Sequence, residues 1–133
     1  MRVSQKCEYA LRAVLELSLQ PNELVKVAQI ASRQGIPLKF LELILGNLRE
    51  KGVVETRRGR EGGCRLSCDP MQLTVAEVLA LVGTDWGRGR SYEGPFADLW
   101  TEADNRVMSV LSGTTFAELA GKLRSTLPTT PSA

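Results

Sequence analysis

The sequence of 133 residues contains no histidine and only three cysteines. The missing imidazoles exclude histidine-bound metal sites, Ser-His-Asp triads and Cys-His nucleophiles. An odd number of cysteines in a chain without a signal-peptide pattern argues against a disulfide framework. No apolar run approaches the ~20 residues that a membrane span requires, so we expect a cytoplasmic protein with no membrane partner.

Net charge is also small, at +2, but the charges are unevenly distributed. Twelve of the 17 lysine and arginine residues precede position 71, against eight of the 15 acidic residues. One short segment has a single acid, Glu61, among four arginines: Arg57, Arg58, Arg60 and Arg65. A local basic segment matters more for contact with phosphates than the overall charge does.

The first part of the chain has the periodicity of helices. Ser4 can cap a first helix that extends to about Leu19. A second, short helix spans 27–34, and Gly35 ends it because glycine readily adopts the left-handed backbone of a helix C-terminus. The buried stripe predicted for the first helix contains Cys7, Ala10, Leu11, Val14, and Leu17 or Ser18.

A third helix, from Pro37 to about Lys51, follows the glycine turn. Proline suits the first turn of a helix because its missing N–H has no partner there. Two helices joined by such a turn predict a helix-turn-helix, whose second helix enters a groove of DNA. A plain helical hairpin with a solvated face is the alternative interpretation of the helix pair alone. The predicted buried face consists of Leu41, Ile44, Leu45 and Leu48.

A predicted hairpin favours the first interpretation. Residues 53–57 alternate and are β-branched, three glycines in 59–63 allow a bent tip, and 64–67 can return as the partner strand. The arginines of the tip are either solvated turn residues or, beside a recognition helix, minor-groove contacts. The expected fold class is therefore mainly α, a winged helix-turn-helix with a two-stranded wing and a long C-terminal dimerisation helix.

The pattern of apolar residues in the second half of the chain predicts three further helices. Thr74 caps a helix through Val82, a long helix runs from Pro95 to about Leu111, and Thr114 or Thr115 caps the last one. The stripe of the long helix is rich for so small a chain, which favours a dimer interface over packing within the subunit. The proposed dimerisation residues are Phe96, Leu99, Trp100, Ala103, Val107, Val110 and Leu111.

These elements divide the chain into four parts. We expect a winged helix-turn-helix DNA-binding domain at 1–83, a loop at 84–94 and dimerisation helices at 95–125. Residues 126–133, with two prolines and several hydroxyl residues, are expected to form a flexible tail.

Taken together, the segments resemble the IscR/NsrR/CymR-type winged-helix repressors, a bacterial family also called Rrf-two. The resemblance covers nearly the whole chain and lies in the order and spacing of its motifs. It includes Ser-Gln-Lys-Cys-Glu-Tyr-Ala-Leu-Arg at 4–12, the helix at 36–52 and the Gly-Gly-containing wing at 57–66. Asp-Pro at 69–70, Leu-Thr-Val at 73–75, Leu-Trp at 99–100 and Thr-Phe-Ala-Glu-Leu at 115–119 complete it.

The resemblance implies a sequence-specific transcription regulator, a repressor, that binds double-stranded DNA at a palindromic operator as a homodimer. Arg58, just before the wing glycine, is implied to enter the minor groove. The residues implied to reach base edges are Pro37, Leu38, Lys39 and Glu42. Among them, Glu42 is implied to accept a hydrogen bond from cytosine N4. Phosphate contacts, which position the protein without reading sequence, are implied for Ser4, Gln5, Arg49 and Arg60.

The chain departs from the family at the position where many members bind an iron–sulfur cluster. Many members hold a cluster with cysteines in the loop before the long helix, but 83–95 contains no cysteine here. Thiolates or imidazoles are needed as ligands, so we predict no metal or cofactor in the family position. Glu8 corresponds to an acidic ligand of some relatives and is expected to make an ordinary polar contact. A small-molecule or protein effector stays open. Trp86 and Tyr92 could line its pocket, although packing is favoured.

Three alternatives compete with this function. A thiol redox sensor would use Cys64 or Cys68. An extended strand separates their Cα atoms by roughly 13 Å, too far for a disulfide unless the chain bends at Cys68 or Pro70. A protein-interaction adaptor is favoured by the acids Glu42, Glu50 and Glu61, which dilute the basic face. An enzyme is not expected, because the sequence shows no acid–base constellation, and 59–63 lacks the Lys-Ser/Thr of a phosphate loop.

Overall fold

The computed structural model of the protein describes residues 3–83 and 91–126. Within these ranges the fold is mainly helical, with one two-stranded antiparallel sheet, which confirms the predicted winged helix-turn-helix class. The elements are α1 (Gln5–Leu19), α2 (Val27–Gln34), α3 (Leu38–Glu50), β1 (Val54–Arg57), β2 (Gly63–Leu66), α4 (Val75–Val82), α5 (Ala97–Ser112) and α6 (Phe116–Thr126).

The first helix, α1, lies at the centre of the domain and contacts α2, α3, α4, α6 and β2. The Ser4 hydroxyl accepts a hydrogen bond from the Cys7 amide at 3.2 Å, so the predicted cap is present. Leu11 was expected in the core but is only half-buried, whereas Ala13 is fully buried. Because neighbours surround α1 on several sides, its buried face is wider than one stripe and shifted from the predicted one.

The turn between α2 and α3 has the predicted geometry. Gly35 adopts a left-handed backbone with φ of 64°, and its N–H donates to the carbonyl of Ala31. Ile36 is buried directly after it. Pro37 is the residue that precedes α3, with an extended ψ of 129°, so the helix begins one residue later than predicted. The buried face of α3 is the predicted one: Leu41, Ile44, Leu45 and Leu48.

The wing is held in place by a strand pairing that the sequence did not predict. β1 and β2 pair in the register Val54↔Leu66 to Arg57↔Gly63. Val25, before α2, also pairs with Cys64, through two N–H···O bonds of 2.8 Å each. A β-carbon on Gly63 would lie 2.6 Å from the carbonyl oxygen of Val25, so this close pairing requires glycine.

The last helix joins the core. Thr115, rather than Thr114, caps α6, and its hydroxyl accepts from the Glu118 amide at 3.1 Å. Phe116 is 1% exposed and packs in the same core as α1. The Arg124 guanidinium donates to the carbonyl of Leu19 at 2.6 Å, which ties α6 to the end of α1.

Some predictions fall near or beyond the described ranges. The long helix α5 begins at Ala97, two residues after the expected proline. Trp86 and the expected flexible tail, apart from Thr126, lie outside the described residues. Tyr92 is half-buried and donates its hydroxyl proton to the carboxylate of Asp104 on α5. No helix within the described part of the chain is long and apolar enough to cross a bilayer.

Candidate nucleic-acid interface

The candidate interface begins with α3, which has one buried face and one open face. Its open face carries side chains of mixed chemistry on successive turns, because residues three and four apart align on a helix. Lys39, Glu42 and Leu43 are all exposed there. Leu38 and Pro37, at the N-terminal end, are exposed as well. A basic, an acidic and an apolar group therefore face solvent from one helix end, in a form that can contact base edges.

The N-terminal end of α1 lies beside that end of α3. Gln5 is exposed and lines one shallow depression together with Pro37 and Lys39. Ser4 is also exposed, although its hydroxyl accepts the α1 capping bond. The fold thus brings together Gln5, Pro37 and Lys39, which the sequence analysis assigned to DNA contact from two separate segments.

The wing presents its arginines at the far end of the hairpin. A hydrogen bond of 3.0 Å from the Gly62 amide to the Gly59 carbonyl closes the tip. Arg58 and Arg60 are exposed, and the ammonium group of Lys26 donates to the carbonyl of Arg60. That contact fixes the tip against the start of α2, so the arginines project from an anchored loop.

Arg65 is an exception among the four wing arginines. It lies directly opposite Glu55 in the strand register and forms an ion pair with it. Its charge is therefore compensated within the wing, and the basic tip consists of Arg57, Arg58 and Arg60. The sequence could have shown this only if the register had been known.

Arg49 links the helix to the wing. It lies in the last turn of α3 and is exposed, and its guanidinium donates to the hydroxyl of Thr56 in β1 at 3.4 Å. A long, weak hydrogen bond of this kind leaves most of the guanidinium donors available. Arg49 thus stands exposed at the junction of α3 and the wing.

A second surface of functional interest is α5. None of its 16 residues, all of them described, is buried. Four large apolar side chains of the predicted dimerisation stripe are between 48% and 66% exposed: Phe96, Leu99, Trp100 and Val110. Of the rest of the stripe, Ala103 is exposed, and the half-buried members are Val107 and Leu111. Exposed apolar area concentrated on one helix is typical of an interaction surface.

The three cysteines differ in burial and in their surroundings. Cys7 is buried in α1, and Cys64 is buried in β2, where its thiol donates to the Val25 carbonyl at 3.6 Å. Burial raises the pKa of Cys64 from 9.0 to about 11. The pKa of the half-buried Cys68 is raised by burial and then by the nearby carboxylates of Glu77 and Asp69. Thiols held in the protonated form are poor nucleophiles and poor metal ligands.

A helix-turn-helix with an open recognition face, followed by an anchored arginine wing, defines the class of winged-helix DNA-binding proteins. Comparison with known proteins narrows that class. Residues 3–122 match the Rrf2 family, which is described as iron-dependent transcriptional regulators. The chain belongs to the Rrf2 family of transcription regulators, as the sequence resemblance predicted.

Individual relatives agree with this assignment. A Mycobacterium tuberculosis protein, Rv1287, which carries the name of an HTH-type transcriptional regulator, is 39% identical over 132 residues, covering 91% of this chain and 82% of its own. The HTH-type transcriptional regulator IscR of Photorhabdus laumondii is 35% identical over 129 residues, covering 90% and 79%. The structure of CymR (YrzC), the global cysteine regulator of B. subtilis, is similar with a TM-score of 0.83 at 25% identity, covering 92% of this chain and 98% of that one.

Proposed function

We propose that the protein is a homodimeric repressor that binds a palindromic DNA operator in the cytoplasm and has no catalytic activity of its own. The observation that carries the proposal is the pairing of an open α3 face with an arginine wing anchored beside it. Each subunit would place α3 in a major groove and its wing in the adjacent minor groove. A two-fold dimer then requires two inverted half-sites about one helical turn, or a multiple of it, apart.

Within this proposal the exposed residues divide into two kinds of contact. Base edges are read by the N-terminal end of α3, where Glu42 accepts a hydrogen bond from cytosine N4 and Lys39 donates to purine acceptors. Arg58 enters the minor groove, whose negative potential favours a guanidinium. Phosphate contacts, which fix the register, come from Ser4, Gln5, Arg49 and Arg60.

Dimerisation is supported by α5. Its stripe is exposed in the single subunit although it contains two aromatic rings, Phe96 and Trp100, whose centroids lie 6.1 Å apart. Large apolar side chains are seldom left in water in such number on one helix. The same stripe on a second copy would cover them and would set the distance between the two recognition helices.

The residues of this chain do not fit the iron–sulfur cluster that many members of the family hold. The donor set consists of three thiols and no imidazole, and segment 83–95 contains no cysteine. Cys64 is buried, with its pKa raised to about 11, so its thiolate is disfavoured. No cluster of three or more potential metal ligands was found among the described residues. We therefore propose regulation without a cluster in the family position, through a small-molecule or protein effector.

The test is binding of the full chain to duplex DNA selected from a random library, followed by a salt titration of the selected duplex. If the protein contacts phosphates, the logarithm of the association constant should fall linearly with the logarithm of the salt concentration. The slope should be about −0.9 for each phosphate neutralised. Arg49→Ala should make that slope less steep by about one unit, because Arg49 is proposed to neutralise a phosphate, whereas Lys39→Ala should leave it unchanged, because Lys39 is proposed to contact bases. A protein-interaction adaptor would enrich no duplex sequence, and that result would overturn the proposal.

A further inference from the structure

One exposed residue of α3 has no assigned contact in the proposed operator complex. Leu43 is 69% exposed, the largest value among the exposed large apolar side chains of the described residues. It lies on the open face of α3, one helical turn after Lys39 and next to Glu42. A partner that covers this leucine gains free energy, because each methylene-sized group removed from water contributes ~0.8 kcal/mol.

The surroundings of Leu43 are apolar in part. It lines the shallow depression of about 570 Å³ that also contains Tyr9 and Phe40. The Tyr9 and Phe40 rings meet edge to face, with centroids 5.5 Å apart. An apolar surface thus continues from Leu43 to the start of α1, beside the polar groups that face base edges.

The next turn of α3 carries the exposed side chain of Asn47 and no side chain at Gly46. Gly46 has no atom within 4 Å of a β-carbon built on it, so nothing inside the subunit requires glycine there. Glycine in a helix costs about 1 kcal/mol relative to alanine, which an internal packing reason would normally offset. Because Gly46 lies one turn after Leu43 on the same face, its missing side chain allows the helix backbone to come close to a partner. The open face is therefore shaped for a partner outside the subunit.

The chemistry of the partner follows from the position. In the major groove, base edges present hydrogen-bond donors and acceptors, and the one apolar group among them is the C5-methyl of thymine. From the exposure of Leu43 and the missing side chain at Gly46, we propose that Leu43 contacts the C5-methyl group of a thymine in each half-site. Leu43 is thus a specificity-determining residue of the proposed operator contact, and the inference rests on that proposed function.

The experiment replaces thymine by deoxyuridine, one position at a time, in the duplex selected by the full chain. Deoxyuridine pairs with adenine as thymine does and lacks only the methyl group. At one symmetric position, replacement should weaken binding about fourfold for each half-site, which corresponds to ~0.8 kcal/mol for one buried methyl-sized group. Leu43→Ala should bind the thymine and deoxyuridine duplexes with affinities within twofold of each other, while Leu43→Met should keep a preference for thymine.

Arg58→Ala is the matched control, because it weakens binding through the wing and should leave the thymine-to-deoxyuridine ratio unchanged. Leu43 is exposed, so Leu43→Ala should retain the thermal unfolding curve of the wild type. The inference is overturned if no thymine methyl affects affinity, if Leu43→Ala keeps the full ratio, or if Leu43→Ala instead changes the oligomeric mass. Failure of the proposed function is a different result, in which no duplex is selected and salt has no effect.

Discussion

At the residue scale, Arg58 is the side chain on which the proposed minor-groove contact depends. It is exposed at the wing tip and, unlike Arg65, is not opposite an acid in the strand register. Arg58→Ala should weaken operator binding by roughly 1–3 kcal/mol, measured by fluorescence anisotropy on the selected duplex. Lys122→Ala, which removes one positive charge from the exposed surface of α6, is the charge-matched control and should bind as the wild type does. Equal losses in both variants would show a general charge effect and contradict the groove contact.

The cysteines test the thiol-sensor alternative at the same scale. The reactive form of cysteine is the thiolate, and the pKa of Cys64 is raised by burial to about 11. Iodoacetamide at pH 8 should therefore label Cys68, which is half-buried, before Cys64, and labelling of Cys64 should rise only as the pH approaches 11. Peptide mass spectrometry of the folded protein measures both rates. Fast labelling of Cys64 at pH 8 would support the redox-sensor alternative. So would a loss of DNA binding in peroxide that is prevented by serine at positions 64 and 68.

The raised pKa of Cys64 also determines how this residue makes the stability of the fold depend on pH. The pKa of Cys64 is higher in the folded state than its ordinary value of 9.0, so the folded protein holds this proton more tightly than the unfolded chain does. Its contribution to stability is therefore complete below pH 9 and is lost as the pH rises towards 11. Below pH 9, Cys64 does not make stability depend on pH.

At the scale of elements, the wing depends on two glycines at the turn into β2. A β-carbon on Gly62 would lie 2.2 Å from the carbonyl oxygen of Arg57, closer than two such atoms can approach. Gly62→Ala should force the hairpin apart and lower the free energy of unfolding by about 1–3 kcal/mol, measured by urea denaturation. Operator affinity should fall as well, because the tip arginines would be displaced.

Gly121→Ala is the matched control for the wing. No atom lies within 4 Å of a β-carbon on Gly121, which is in the middle of α6. This variant should be as stable as the wild type or more stable by up to ~1 kcal/mol, with operator affinity unchanged. If Gly62→Ala instead unfolds at the wild-type urea concentration and binds DNA normally, the wing is not held as the structure describes.

At the scale of the whole molecule, the proposed dimer depends on α5. Trp100 is 48% exposed in the single subunit, so Trp100→Glu should fold normally by circular dichroism. A charge in the proposed dimer seam should convert the dimer to a monomer, measured by sedimentation equilibrium. Operator affinity should fall by at least about tenfold, because the two half-sites would no longer be bound by one linked particle.

Asn105→Glu adds the same charge to the side of α5 away from the stripe and should leave the dimer intact. Asn105 is exposed in the subunit, so this variant is also expected to fold. A wild-type protein that sediments as a monomer at operator-binding concentrations would contradict the proposed dimer. Dissociation by both variants would place the seam elsewhere on α5.

The sequence by itself determined the order and type of the elements. Caps such as Ser4 and Thr74, the glycine turn at Gly35 and the apolar spacing in α3 act within a few residues, so local pattern was sufficient to predict them. The family assignment had the same basis, since motif order and spacing are properties of the sequence.

The tertiary structure alone decided which charges and apolar groups remain available. Val25 pairs with Cys64, Glu55 compensates Arg65, and Phe116 enters the core of α1, and all three are contacts between different elements. Local pattern contains no information on strand register or on which helix face meets a neighbour, because both depend on how distant segments pack. The sequence predicted an uncovered α5 stripe and placed Leu43 outside the buried face of α3, but the exposed fraction of each side chain depends on how every other element packs.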